Sequence, residues 1–412
     1  MNSQDPQDTF FQSAHVFDGV DYHDGPQDVL VQNGHIVSVT PAGAVQPPPN
    51  VEVHDCAGKT IAPGLIDTHV HLGVAKGISM ETLTEPFSLQ FFETTTTMKT
   101  TLHAGVTTVR DAGGIDLGAK VAQERGVIEG PSVLLSINIL SQTGGHGDGW
   151  IRDGVEQTFL SEHPGRPSGV ADGADGVRAA TRRLFRAGAD QIKICTTGGV
   201  LSAHDDPRHS QLSRGEIEAI VEEAEMRGSY VMAHAQGAAG IRQAVEAGVR
   251  SIEHGIYLDE EIAELMVAKG AYLVPTLQAP MQVIRNAEAG LPMLPQTVDK
   301  AKQVVEVHRA AVELAHRVGV QIAMGTDAGV GPHGANLEEL ELLTDTGLTD
   351  VEALRAATST AAELLRLDQI GRVSAGARAD LIVVAGDLEA DGVKGLSDRV
   401  AQVWQNGRLV RG

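Results

Sequence analysis

Along the middle of the chain, short apolar runs alternate with amphipathic stretches. The runs at 65–67, 107–110, 132–135, 191–194, 230–233, 250–253, 271–274 and 321–324 have the length and apolar character of buried strands. Between them, 214–226 places Ile217, Ile220, Val221 and Ala224 on one helical face and glutamates on much of the remainder. The stretches 259–268, 298–318 and 336–344 repeat that pattern. Strands alternating with helices over 63–362 predict an α/β fold, a (β/α)8 TIM barrel.

The two ends read differently. Runs at 12–17, 28–32, 35–39, 51–53 and 60–62 are short and β-rich, and Asn33-Gly34 between two of them is a hairpin signal. Near the C-terminus, 379–384 and 400–405 are followed by Asn406-Gly407 and a last run at 408–410. Two β-rich ends around a long middle predict a small β-sandwich domain built from 1–62 plus 363–412, beside a barrel domain of 63–362.

Composition narrows the partners. The 412 residues carry 32 Lys+Arg against 54 Asp+Glu, a formal net charge of −22. Nucleic acid and anionic membranes are bound by clustered basic groups, so this balance disfavours both. The few aromatics (8 Phe, 4 Tyr, 2 Trp) argue against a stacking platform for single strands. No apolar run reaches the roughly 18–20 residues of a membrane span, and 1–6 is polar and acidic, unlike a secretory leader. Cys56 and Cys195 lie far apart, which argues against a disulfide framework and for a cytoplasmic setting. The 16 histidines stand out in a chain so poor in other rings.

A barrel of this kind carries its chemistry at the C-terminal ends of its strands. The first run leads into Asp67-Thr68-His69-Val70-His71, the fourth carries Lys193, the fifth ends at His234, the sixth at His254, and the eighth leads to Asp327. His69 and His71, two apart on a strand, point to one face, a chelating geometry for a metal ion. Taken singly, His234 and His254 read as core histidines, and Asp327 as a helix cap or turn residue. Lys193, between Ile192 and Ile194, reads as an edge-strand lysine. Inside a barrel, however, that lysine needs a partner or a modification, and the joint placement of these residues favours one site over separate accidents. Cys195 shares a strand face with Lys193, but no Cys–His pattern surrounds it, so it reads as a buried structural thiol. His15, His23, His35, His54, His308 and His316 read as structural or surface residues.

With these residues in this order, the chain resembles the amidohydrolase superfamily of metal-dependent hydrolases over nearly its whole length. The resemblance includes Pro63-Gly64-Leu65-Ile66-Asp67-Thr68-His69-Val70-His71 near the start. Near the end it includes Gly371-Arg372-Val373 and Gly376-Ala377-Arg378-Ala379-Asp380-Leu381. Three segments make it similar to the Xaa-Pro and Xaa-Arg dipeptidase branch, which is carboxypeptidase-like and related to imidazolonepropionase. They are Ser141-Gln142-Thr143-Gly144-Gly145-His146-Gly147-Asp148, Lys193-Ile194-Cys195-Thr196-Thr197-Gly198-Gly199-Val200 and His254-Gly255-Ile256-Tyr257-Leu258-Asp259. The resemblance implies two divalent metal ions, zinc by preference. His69, His71 and Asp327 would hold one, His234 and His254 the other, and Lys193 would bridge them as a carbamate. Apolar neighbours favour the neutral amine, the form that reacts with carbon dioxide. The resemblance further implies attack on an amide by a hydroxide shared between the metals. Asp327 would be the general base, and His146, in a Gly-rich loop after the third strand, would donate a hydrogen bond to the developing oxyanion.

The implied substrate is a small molecule, a dipeptide or N-acyl amino acid with a free carboxylate. Tyr257, three residues past His254, is the first candidate to hold that carboxylate. Arg110, at the end of the second strand, is a second; its other reading is a structural pair with Asp111 or another carboxylate. His333 is a candidate pocket-lining residue. The polar loop 202–211, with His204, Asp205, Asp206 and His209, is expected to cover the site and contribute to specificity. Relatives of this kind are often homo-oligomers, and a homo-oligomer is expected here. Competing readings are a hydrolase of another amide, carbamate, urea or lactone, xenobiotics included, and a non-catalytic scaffold of the same fold. A mononuclear deaminase is disfavoured by Lys193, because such a site needs no bridge.

Overall fold

The computed structural model describes residues 8–75, 85–150, 160–202 and 205–412. At the start, β1 (Thr9–Val16), β2 (Gln27–Gln32), β3 (His35–Pro41), β4 (Glu52–Asp55) and β5 (Lys59–Pro63) follow one another with short connections. The turn between β2 and β3 holds Asn33 and Gly34 at φ 50° and 78°, the left-handed backbone that a tight hairpin demands.

The middle contributes β6 (Leu65–Val70), β7 (Val106–Asp111), β8 (Ser132–Leu135), β9 (Ile139–Leu140), β10 (Ile192–Cys195), β11 (Val231–Ala235), β12 (Ser251–His254), β13 (Tyr272–Val274) and β14 (Gln321–Ile322). All eight apolar runs of this region are strands, and all their pairings are parallel. They form a three-stranded sheet, β6-β7-β8, and a six-stranded one, β14-β13-β12-β11-β10-β9. Just past the third run, Ile137, at φ 68°, separates β8 from β9, so that β8 pairs with β7 and β9 with β10. Among the described residues the ladders therefore make two arcs and not the continuous closed ring expected. At the other junction the chain after β14 runs beside β6. Thr68 N donates to Met324 O (2.9 Å), Asp327 N to His69 O (2.8 Å) and His71 N to Ala328 O (2.7 Å).

Helices with one apolar face cover these strands. Arg214–Glu225 opens on a capping box of Ser213 and Glu216, and Glu260–Lys269 starts at the Asp259 cap and stops at Gly270, at φ 65°. Every residue of β6, β7, β10, β11 and β12 is buried. Polar side chains on those strands must therefore find partners inside the protein.

At the end of the chain, β15 (Leu381–Ala385), β16 (Val400–Gln405) and β17 (Arg408–Arg411) join the N-terminal strands in one connected sheet, ordered β17-β16-β15-β5-β1-β2-β3 with β4 on β1. Phe11, Val29, Ile61, Leu381 and Trp404 share its core. The two Asn-Gly turns touch: a Cβ at Gly34 would lie 2.7 Å from Asn406 Oδ1, so this approach requires glycine. Among the described residues no helix is long and apolar enough to cross a membrane.

Candidate metal centre and active site

Parallel register brings the expected ligands together. Cys195 pairs with His234, and Ala235 with His254, which sets successive strand ends at one height. The rings make a row, with centroid separations of 5.5 Å from His71 to His69, 5.2 Å on to His254, and 4.6 Å on to His234. Lys193 Nζ lies 3.1 Å from His69 Nε2. Asp327 Oδ1 lies 3.2 Å from His71 Nε2 and 3.6 Å from His69 Nε2. Ligand atoms of His69, His254 and Asp327 all fall within 4.8 Å of one another.

The hydrogen bonds behind the rings test whether a metal fits. His69 Nδ1 lies 2.7 Å from the Glu253 carboxylate and His71 Nδ1 2.6 Å from Gly113 O, so both nitrogens are donors. His254 Nδ1 lies 2.7 Å from Thr276 Oγ1; that hydroxyl donates to Pro275 O at 2.6 Å and so accepts from the ring. His234 is reversed, with Nε2 3.0 Å from Gly198 O. A neutral imidazole carries one N–H. Nε2 of His69, His71 and His254 and Nδ1 of His234 are thus the nitrogens that carry no proton in the neutral rings, bare in that sense, as metal-binding histidines with hydrogen-bonded second nitrogens require. The donor set fits divalent cations.

Electrostatics agree. Burial, with the Lys193 charge, lowers His69 to about 4. Burial also holds His234 and His254 well below the usual histidine range and lowers Lys193. At Asp327 burial works in the opposite direction, but the His71 ring beside it and the nearby imidazoles keep its carboxyl well below the usual range. His254, Asp327 and Thr276 adopt φ 73°, 58° and 55°, a left-handed conformation that costs non-glycine residues of order 1–3 kcal/mol each. The network of bonds around them holds this strain at the site.

Beneath the row lies a buried ion pair of Arg110 with Glu253, a carboxylate that the sequence reading did not name. Glu253 accepts from His69 with one oxygen and from Arg110 Nη2 (3.0 Å) and Ser251 Oγ (2.5 Å) with the other. Arg110 Nε donates to Thr68 O at 2.6 Å and Nη1 to Ser251 Oγ at 3.0 Å. The Arg110 side chain is 0% exposed. Its expected role as an anion contact for substrate is therefore corrected: the guanidinium turns inward and neutralises Glu253. Asp67 belongs to the same strand-end motif as His69 and His71. It accepts from His69 N (3.0 Å), Thr326 Oγ1 (2.6 Å) and Asn336 Nδ2 (2.7 Å), which anchors the residue next to Asp327, and burial raises it to about 6. A signal for Glu253 was present: an acidic residue on an otherwise buried strand raises the same question as Lys193.

The remaining candidates lie around this centre. His146 stacks on His234, centroids 4.2 Å apart at 22°. Tyr257 is half-buried and packs beside Val200 and Ile256. His333 Nε2 bonds Val74 O at 2.9 Å, and burial lowers the ring to about 4. His308, from the helix Pro295–Val318, supports the His254 carbonyl at 2.9 Å. Burial pushes the Cys195 thiol up to about 12, consistent with a structural thiol. His209 is exposed, and His204 lies outside the described residues.

Fold and site together define a parallel α/β protein with a buried cluster able to hold metal, and its family and relatives indicate a hydrolase acting on carbon–nitrogen bonds. Residues 60–410 match the amidohydrolase family, and the chain belongs to that family. Ochratoxinase from Aspergillus niger is 36% identical over 323 residues, 76% of this chain and 66% of the relative's own length. Its solved structure has a TM-score of 0.86 at 30% identity, covering 99% of this chain and 96% of that one. A prolidase solved in complex with N-methylphosphonate-L-proline has a TM-score of 0.89 at 36% identity, covering 98% and 100%. A Xaa-Pro dipeptidase with methionine bound in its active site has a TM-score of 0.88 at 31% identity, with the same coverage of 98% and 100%. The resemblance drawn from the motifs is borne out.

Proposed function

We propose that this chain is a binuclear metal-dependent hydrolase that cleaves the amide bond of dipeptides or N-acyl amino acids bearing a free C-terminal carboxylate. One observation carries the reading: each of four imidazoles has one nitrogen tied to an acceptor and the other bare, around a buried lysine. His69, His71 and Asp327 would hold one ion, His234 and His254 the other, with Lys193 between them as a carbamate. When bound, two divalent ions, zinc by preference, would polarise the scissile carbonyl and activate water at neutral pH. Asp327 would accept the proton of the attacking water and pass it to the leaving amine. His146 would donate a hydrogen bond to the carbonyl oxygen as charge grows there. Tyr257 would hold the substrate carboxylate, and His333 would line the pocket near His71.

The architecture proposed with this activity is a (β/α)8 ring over 63–362 with a β-sandwich of 1–62 plus 363–412, in a cytoplasmic homo-oligomer. The prolidase and Xaa-Pro dipeptidase likenesses support a carboxylate-bearing substrate. The ochratoxinase likeness favours a second reading, a different amide such as a xenobiotic. One experiment tests both. Protein purified with zinc and bicarbonate is assayed for metal and screened against dipeptides, N-acyl amino acids and neutral amides, carbamates, ureas and lactones. Two metals per chain and hydrolysis confined to carboxylate-bearing amides are expected. Preference for neutral compounds selects the second reading, and protein without metal or activity returns the scaffold.

A further inference from the structure

The chain after β10 is more organised than this reaction requires. Lys300, on the helix Pro295–Val318, donates to Gly199 O (2.9 Å), Ser202 O (2.7 Å) and Asp205 O (2.7 Å). An ammonium has three N–H bonds, and all of them hold this one loop. The Asp205 carboxylate accepts from Gly199 N (3.1 Å), Gln211 Nε2 (3.1 Å) and Ser202 Oγ, with Lys300 Nζ 3.7 Å away. Ser202 Oγ lies 2.8 Å from His146 Nδ1, and Asp205 Oδ2 lies 3.5 Å from the same nitrogen. Gln211 Oε1 accepts from His146 N at 2.8 Å. A Cβ at Gly199 would fall 2.2 Å from His146 Cε1, so the ring is confined between the Gly199 backbone and His234.

The protons follow from chemistry. A carboxylate has no proton to give, so Ser202 donates to Asp205. A hydroxyl has one proton, so Ser202 Oγ must accept from His146, and Nδ1 carries the N–H. Nε2 is left to face the site. Nε2 donates only with a hydrogen of its own, so both ring nitrogens are N–H groups in that role.

We propose that Asp205 and Ser202 are positioning residues for His146, latched by Lys300, so that the relay Lys300–Asp205–Ser202–His146 sets which nitrogen of that imidazole faces the site and where it is aimed. The proposal rests on the reading of His146 as the group that meets the scissile carbonyl. Without the relay the ring can flip and exchange its nitrogens, while the supports behind the metal ligands stay intact.

A double-mutant cycle on zinc-loaded enzyme tests it, with kcat, KM and metal content measured on the best amide from the screen. Asp205→Asn is expected to lower kcat on the order of 30-fold, with KM changed by less than about threefold and metal retained. Ser202→Ala should behave alike, and Ser202→Thr, which keeps the hydroxyl, should recover most of the rate. In a His146→Ala background, Asp205→Asn should cost nothing further. Equal losses in both backgrounds, or Ser202→Thr as slow as Ser202→Ala, would make the loop merely structural and overturn the proposal. If His146→Ala is impaired and Asp205→Asn is not, the relay alone fails. If His146→Ala keeps the wild-type kcat, the role of His146 fails and takes the relay with it. Should Asp205→Asn not fold, the Ser202 pair decides.

Discussion

His69, second in a row of imidazoles, and His146, at the far end of that row, are held by different means. His69 is held from below by strand residues, through Glu253 on β12 and Arg110 on β7, all buried. His146 is held from the side by a loop, through Ser202 and Asp205, with Lys300 bracing it from a helix. Strand support inherits the rigidity of the parallel ladders, but it requires burying an ion pair, whose desolvation cost is repaid only by complete hydrogen bonding. Loop support needs its own brace, and it can change without disturbing the ladders. Under the proposed function the difference separates two tasks: holding metal would fall to the strands, and meeting the substrate to the loop.

That contrast can be broken at its strongest point first. Lys193→Ala should strip metal and lower kcat by more than about a thousandfold, as read by elemental analysis and kinetics. Retained metal and rate would sink the binuclear reading. Next, Glu253→Gln leaves Arg110 buried without its counter-charge. Denaturant melts should show a loss of about 3–5 kcal/mol, and chelator competition should show metal affinity lower by about 10–100-fold. Adding Arg110→Met should restore stability more than metal affinity; parallel recovery of both would mean that Glu253 does not act through His69.

Acid should sharpen the same point. Burial would raise Glu253, but Arg110 and His69 outweigh it and hold the carboxyl at about 2 against an ordinary 4.5. A depressed carboxyl stabilises the fold above its unfolded value and loses that contribution as pH falls through its folded one. The stability gap between wild type and Glu253→Gln should therefore be full above about 4.5 and close toward about 2. A gap independent of pH would count against the pairing. The smallest effect belongs to the substrate end. Tyr257→Phe should raise KM about tenfold for carboxylate-bearing amides and leave neutral amides and metal content unchanged. Equal effects on both classes would favour the xenobiotic reading.

Strand positions were legible because a buried parallel strand is a short apolar run, and each of the eight runs contains one. The break at Ile137 was not, since an isoleucine gives no signal of a left-handed turn, and the polar Ser136 and Asn138 beside it mark only where the apolar run stops. In the site, His69, His71, Lys193, His234, His254 and Asp327 were legible as polar residues on or just past strands that otherwise read as apolar. Arg110 was left with two readings, and the structure shows the pair with a carboxylate. Its place at a strand end was visible, and the inward turn of its guanidinium toward Glu253 was not.

By itself, the sequence determined which side chains stand at the strand ends and which face of each strand they share, because the two-residue alternation of a strand is local. Which nitrogen of each ring is bare, what neutralises Arg110 and what steadies His146 were decided only by the tertiary structure. Those outcomes depend on hydrogen bonds between residues far apart in the chain, such as His69 with Glu253, 184 positions away, and His146 with Ser202, 56 positions away. No local pattern specifies such partners; they meet only when the strands and the loops between them have been brought together.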